Sequence, residues 1–71
     1  MAEKINITTE YITLGQLLKL AGAVDTGGAV KPYLAENEIY LNGNLENRRG
    51  KKLYDGDIIE LPDIGKIEVS R

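Results

Sequence analysis

The stretch EIYLNGN, residues Glu38 to Asn44, decides the fold. Ile39 and Leu41 alternate with Glu38 and Tyr40, the period-two pattern of a strand with one buried face. Asn42-Gly43 follows, and both residues accept the positive φ that a tight hairpin turn demands. Leu45 and Glu46 resume on the far side, so a β-hairpin is predicted about Asn42-Gly43.

Toward the C-terminus, LYDGDIIEL places Asp55-Gly56 in a turn ahead of another strand. PDIG then turns into a last strand, KIEVS, at about residues 66–70. Asp55-Gly-Asp57 invites comparison with a cation loop. A calcium loop needs several further oxygen ligands at regular spacing and a late Glu, and the sequence lacks them. The expectation is a β-turn that Asp opens and in which Gly takes positive φ.

Toward the N-terminus the period changes. In TLGQLLKLAG, Leu14, Leu17, Leu18 and Ala21 follow the i, i+3, i+4, i+7 stripe of a helix. Thr13 and Gln16 have capping-box spacing, and Gly22 is a fitting stop. DTGGAVKPYLAEN predicts a second, shorter helix capped by Asp25 or Thr26, with Val30, Tyr33 and Leu34 on one face. If it begins at Gly27 or Gly28, Pro32 sits near the first turn, where a missing N–H costs little. Asn37 is expected to end it in the left-handed conformation. EKINITT, at about residues 4–8, alternates Ile5 and Ile7 with polar residues as a first strand. The order is β-α-α-β-β-β-β, an α+β fold of two N-terminal helices on a small antiparallel, hairpin-rich sheet.

Seventy-one residues make one domain, 1–71, with a modest core. There is no Cys and no His, which removes disulfides, thiolate chemistry and the commonest general base and metal ligand. With no convergent acid–base set, the expectation is a non-enzyme without cofactor or metal. The first dozen residues lack the cationic start and apolar run of a secretory signal, and no stretch is apolar for the length of a membrane span. A soluble, cytoplasmic protein, monomeric in itself, is expected.

Net charge is -2, yet Arg48, Arg49, Lys51 and Lys52 hold four of the nine Lys and Arg residues within five positions. Bunched cations repel one another, and the flanking Glu46 and Asp55 relieve this only partly. Three readings stand: a solvated loop or sorting signal, a docking site for an acidic protein partner, or a phosphate-binding loop. Thr26-Gly27-Gly28 is either a plain helix start or a backbone cradle for an anion. Lys31, one turn on, is an ordinary solvated lysine unless it lies near the other cations.

From Thr13 to Leu61 the chain resembles the S4-type RNA-binding domain. The likeness rests on the Leu-rich helix LGQLLKLAGAV, Thr26 opening the second helix, Lys31 within it, the hairpin Ile39-Tyr40-Leu41-Asn42-Gly43, and Gly56-Asp57-Ile58-Ile59. Within the family it looks most like the small stand-alone bacterial members of YaaA or YbcJ type. The resemblance implies a non-catalytic module for structured RNA, ribosomal or transfer, contacted by Thr26, Lys31 and the basic loop. Lys31, Arg48, Arg49, Lys51 and Lys52 are then expected to meet phosphates, and Thr26-Gly27-Gly28 to form a helix-terminus anion site. It departs from the family at Gly27, where many members carry an RNA-touching Arg. Structured RNA is recognised mostly through phosphates, 2′-hydroxyls and shape, and a helix end beside a flexible Arg/Lys loop suits that task. Tyr40, facing away from Ile39 and Leu41, would either stack on a base or cover a second sheet face.

Overall fold

A computed structural model describes residues 3–71. Seven strands and two helices run β1 (Glu3–Asn6), β2 (Ile12–Thr13), α1 (Leu14–Leu20), α2 (Val30–Glu36), β3 (Tyr40–Leu41), β4 (Asn44–Leu45), β5 (Lys52–Leu53), β6 (Ile58–Leu61) and β7 (Gly65–Ser70). A 3₁₀ turn, Gly27–Ala29, leads into α2. Five strands form one sheet in the order β1-β7-β6-β3-β4, and β2 pairs with β5 in a separate two-stranded ladder.

Two features differ from the sequence expectation. The sheet is mixed, because β1 lies parallel to β7, with Ile5 opposite Val69. Parallel pairing joins segments that no hairpin connects, so local turn signals cannot show it. Ladder β2–β5 also carries no readable alternation, since each strand has only two residues.

α1 starts where all four of its first amides find partners. Thr13 and Gln16 exchange the expected capping-box bonds, Thr13 N–H to Gln16 Oε1 at 2.9 Å and Gln16 N–H to Thr13 Oγ1 at 3.3 Å. The two amides between them, of Leu14 and Gly15, donate to the carbonyls of Lys51 and Arg49, both at 2.9 Å. Such amides have no partner within a helix and must find one elsewhere. Here the basic segment supplies it.

α2 begins its regular turns at Val30, so Pro32 falls in the first turn as expected. Asn37 corrects the sequence reading. It sits in extended backbone (φ -126°, ψ 145°) rather than the left-handed region. Its amide and its Nδ2 both donate to the Tyr33 carbonyl at 3.0 Å, so the side chain closes the helix while the backbone runs on toward β3.

The two turn motifs meet each other. Asn42 (φ 50°) and Gly43 (φ 87°) make the expected hairpin turn, and Gly56 (φ 92°) the second. Asn42 Oδ1 accepts the Ile58 amide at 2.9 Å, and Asn42 Nδ2 donates to Asp57 Oδ1 at 3.1 Å. Asp57 Oδ2 in turn accepts the Tyr54 amide at 2.8 Å. One cluster thus fixes both ends of the chain between β3 and β6.

Leu14, Leu17 and Leu18 of α1, with Val30 and Leu34 of α2, share a core with Ile39, just before β3, and with Ile59, Leu61, Ile67 and Val69 of the sheet. Ile12 and Leu53 join this core from the ladder. Leu53 is wholly buried, which anchors the basic segment immediately before it. No polar or charged side chain among the described residues is buried. No helix among them is long and apolar enough to cross a membrane.

Candidate nucleic-acid interface

The basic segment is not a free loop. Besides its two carbonyl bonds to α1, the Glu46 amide donates to Ile39 O at 2.8 Å, and Lys51 N–H closes a turn on Arg48 O at 3.1 Å. Arg49 and Gly50 are the central residues of that turn. The flexible loop expected from sequence is, in its backbone, a strap across the start of α1 that leaves the side chains outside.

Gly15 lets the strap lie close. A Cβ there would stand 3.4 Å from both the Arg49 carbonyl oxygen and Val30 Cγ1. The side chains of Arg48, Arg49 and Lys52 are exposed, and Lys51 is half-buried. Arg48 is engaged by its neighbour: its Nε lies 2.9 Å and its Nη2 3.2 Å from the two Glu46 carboxylate oxygens. This hydrogen bonding holds the Glu46 carboxyl below its ordinary pKa, against the opposing effect of burial.

Three shallow clefts lie in a row along this side. The first, about 410 Å³, lies between α2 and the basic segment and is lined by Lys31, Leu34, Ala35, Asn47 and Arg49. The second, about 280 Å³, brings Lys19 of α1 and Gly27 of the 3₁₀ turn to Arg49 and Gly50. The third, about 440 Å³, is bounded by Arg48, Gly50, Lys51, Lys52 and Tyr54. Arg49 borders the first two and Gly50 the last two, so the row is continuous. None of the three is lined by a carboxylate. Four acidic side chains line other clefts, Asp25 and Glu36 one and Glu36, Glu38 and Glu46 another, and of these Glu46 reaches the row through its pairing with Arg48.

The structure therefore gathers Lys31, Arg48, Arg49, Lys51, Lys52 and Gly27 along one side. Thr26 is not gathered. It lines the cleft that holds Asp25 and Glu36, and its side chain makes no capping hydrogen bond. Gly28 lines none of the three basic clefts. Lys19 joins the row although sequence reasoning passed it over, because a lone Lys on the polar face of a helix carries no local signal. Tyr40 packs on the outer sheet face opposite Glu60 and Leu45, and its hydroxyl donates to Glu38 at 2.6 Å. That bond, with the charges of Glu38 and Glu60, raises the Tyr40 pKa. An acidic setting of this kind suits sheet cover better than contact with a polyanion.

Comparison with known proteins agrees in extent with this architecture. Residues 5–70 match the S4 domain family, which takes in half of β1 and all of β7 as well as the segment from Thr13 to Leu61. A relative from Bacillus subtilis (strain 168), described as "Probable ribosome maturation protein RlbA", is 49% identical over 69 residues, covering 97% of each chain.

Proposed function

Because the chain belongs to the S4 domain family, we propose that it is a non-catalytic RNA-binding module that engages structured ribosomal RNA during ribosome maturation. The observation that carries this reading is the segregation of charge. Lys19, Lys31, Arg48, Arg49, Lys51 and Lys52, six of the nine Lys and Arg residues, border three contiguous clefts that no carboxylate lines. A phosphate backbone laid along this row would replace cation–cation repulsion with attraction and release its own counterions. The role of the relative from Bacillus subtilis supports ribosomal RNA over transfer RNA as the target.

Within the row the residues have different parts. Arg49 stands at the junction of two clefts, and its fork of donors matches phosphate oxygens. Lys31 and Lys19 extend its reach to either side. Arg48 pairs with Glu46 two residues before it, and its side chain stays 69% exposed. Gly27 leaves open space, since a Cβ there would meet nothing within 4 Å.

Crosslinking in cells, followed by sequencing of the bound RNA, tests the proposal. Ribosomal RNA should be recovered with the native chain and lost with Arg49→Glu and Lys31→Glu combined. Neither side chain packs in the core, so the doubly changed protein should keep its fold by circular dichroism. Recovery of an acidic protein in place of RNA would overturn the proposal.

A further inference from the structure

The ladder β2–β5 has a wet face whose composition its fold does not require. Ile12 and Leu53 are opposite each other and point into the core. Alternation along each short strand turns their neighbours outward: Tyr11 and Thr13 on one side, Lys52 and Tyr54 on the other. The register places Tyr11 across from Tyr54, one step beyond the Ile12–Leu53 pair. Their ring centroids are 5.9 Å apart with planes inclined at 48°. The Lys52 ammonium lies 4.8 Å from the centre of the Tyr11 ring.

Tyr11 remains 37% and Tyr54 45% exposed. Neither hydroxyl has a protein hydrogen-bond partner among the described residues. Tyr54 also walls the third basic cleft, with Arg48, Lys51 and Lys52 around it. The two rings are therefore held in mutual orientation, partly open to solvent, at the end of a row of cations.

This is the chemistry of a single-stranded nucleic-acid site. An aromatic face accepts any base because every base has a π-face, and adjacent cations hold the phosphates that flank it. Two tyrosines fixed against each other lose little conformational freedom when a base joins them. An acidic peptide would use the cations but gain nothing from the rings.

We propose that Tyr11 and Tyr54 form a stacking platform for an unpaired base next to the structured RNA held in the basic clefts, with Lys52 positioned for the phosphate of that nucleotide. The inference rests on the RNA-binding reading and adds a second mode to it: the clefts engage a folded element, and the platform engages the single strand that leaves it.

The test compares two probes, a blunt RNA hairpin and the same hairpin extended by a short oligoadenosine tail carrying 2-aminopurine. The native protein should bind the tailed probe about 5- to 150-fold more tightly, the equivalent of stacking one base on an aromatic side chain. The 2-aminopurine fluorescence should be quenched on binding. Tyr54→Ala and Tyr11→Ala should lose the preference and the quenching, and Tyr11→Ala, at a residue that lines none of the basic clefts, should still bind the blunt hairpin. Tyr54→Phe, which keeps the ring, should retain both, and its retention separates loss of stacking from loss of fold. Equal binding of the two probes, with the blunt hairpin bound in a salt-dependent way, would overturn the platform and leave the RNA-binding reading standing. Binding of neither probe at low salt would remove both. Displacement of the tail by polyglutamate as readily as by oligoadenosine would also overturn the platform, since the surface would then read charge alone.

Discussion

Gly15→Val should unseat the strap that carries the cations. A Cβ at this position would already sit at the limit of close contact, 3.4 Å from the Arg49 carbonyl oxygen and from Val30 Cγ1, and 3.7 Å from Arg49 Cβ. Two γ-methyl groups on that Cβ add bulk between the same neighbours, and in a helix valine is nearly confined to one χ1 rotamer, so it has little freedom to avoid them. Overpacking of this kind costs about 1–3 kcal/mol. If the strap lifts instead, the bond from Gly15 N–H to Arg49 O is lost at a cost of about 1 kcal/mol. A net destabilisation of about 1–3 kcal/mol is expected, which for a domain of this size lowers Tm by about 4–24 °C.

Urea or thermal denaturation measures the loss, and Gly15→Ala is the control. Its single carbon needs only a small adjustment of its neighbours, so it should stay within about 1 kcal/mol of the native protein, helped by the better helix propensity of alanine. The displaced Arg49 should also weaken RNA binding by Gly15→Val under conditions where the variant is still folded. A valine variant as stable as the native protein, with RNA affinity unchanged, would refute the account of the strap as a part packed against α1.

Three further outcomes follow from particular contacts. Burial, followed by the hydrogen bond to Asp63 and its charge, raises the Tyr33 pKa from 10.0 to about 12. The folded state thus holds this proton longer than the unfolded chain, and the associated stability is complete below pH 10 and is lost as pH rises through about 12. Across that window the native protein should lose more stability than Tyr33→Phe, and parallel denaturation curves for the two would contradict it. Asn42→Ala should cost about 1–3 kcal/mol in denaturation, by placing alanine at positive φ and removing the acceptor of the Ile58 amide. Asn42→Gly should cost less, because it removes the bonds without the strain. Gly27→Arg, in open space beside Arg49, should tighten RNA binding about fivefold and steepen the salt dependence by about 0.7–0.9; an unchanged affinity would place Gly27 off the path of the RNA.

What could be read in the sequence was what lies close along the chain. The capping box of Thr13 and Gln16, the Asn42-Gly43 and Asp55-Gly56 turns and the Leu14-Leu17-Leu18 stripe each declare themselves within a few residues, and each stands as expected. The parallel pairing of β1 with β7 did not declare itself, because it joins the two ends of the domain. Nor did the link between Asn42 and Asp57, although both belong to motifs that were recognised separately. Asn37 misled because its short amide can cap a helix through its side chain as well as by a left-handed backbone. For the candidate interface, the clustered cations of the basic segment were visible as a run. Lys19 and the Tyr11–Tyr54 pair were not, since only the register of a two-residue ladder and the approach of the strap to α1 bring them to the same side.

The central claim is that a row of cations binds RNA through its phosphates. The most direct test is the dependence of the binding constant on salt, measured with the RNA recovered by crosslinking. If about four phosphates are engaged, log K against log salt should fall with a slope near -3, and Arg49→Gln should make that slope shallower by about 0.7–0.9. A flat response, or one that Arg49→Gln leaves unaltered, would contradict the account.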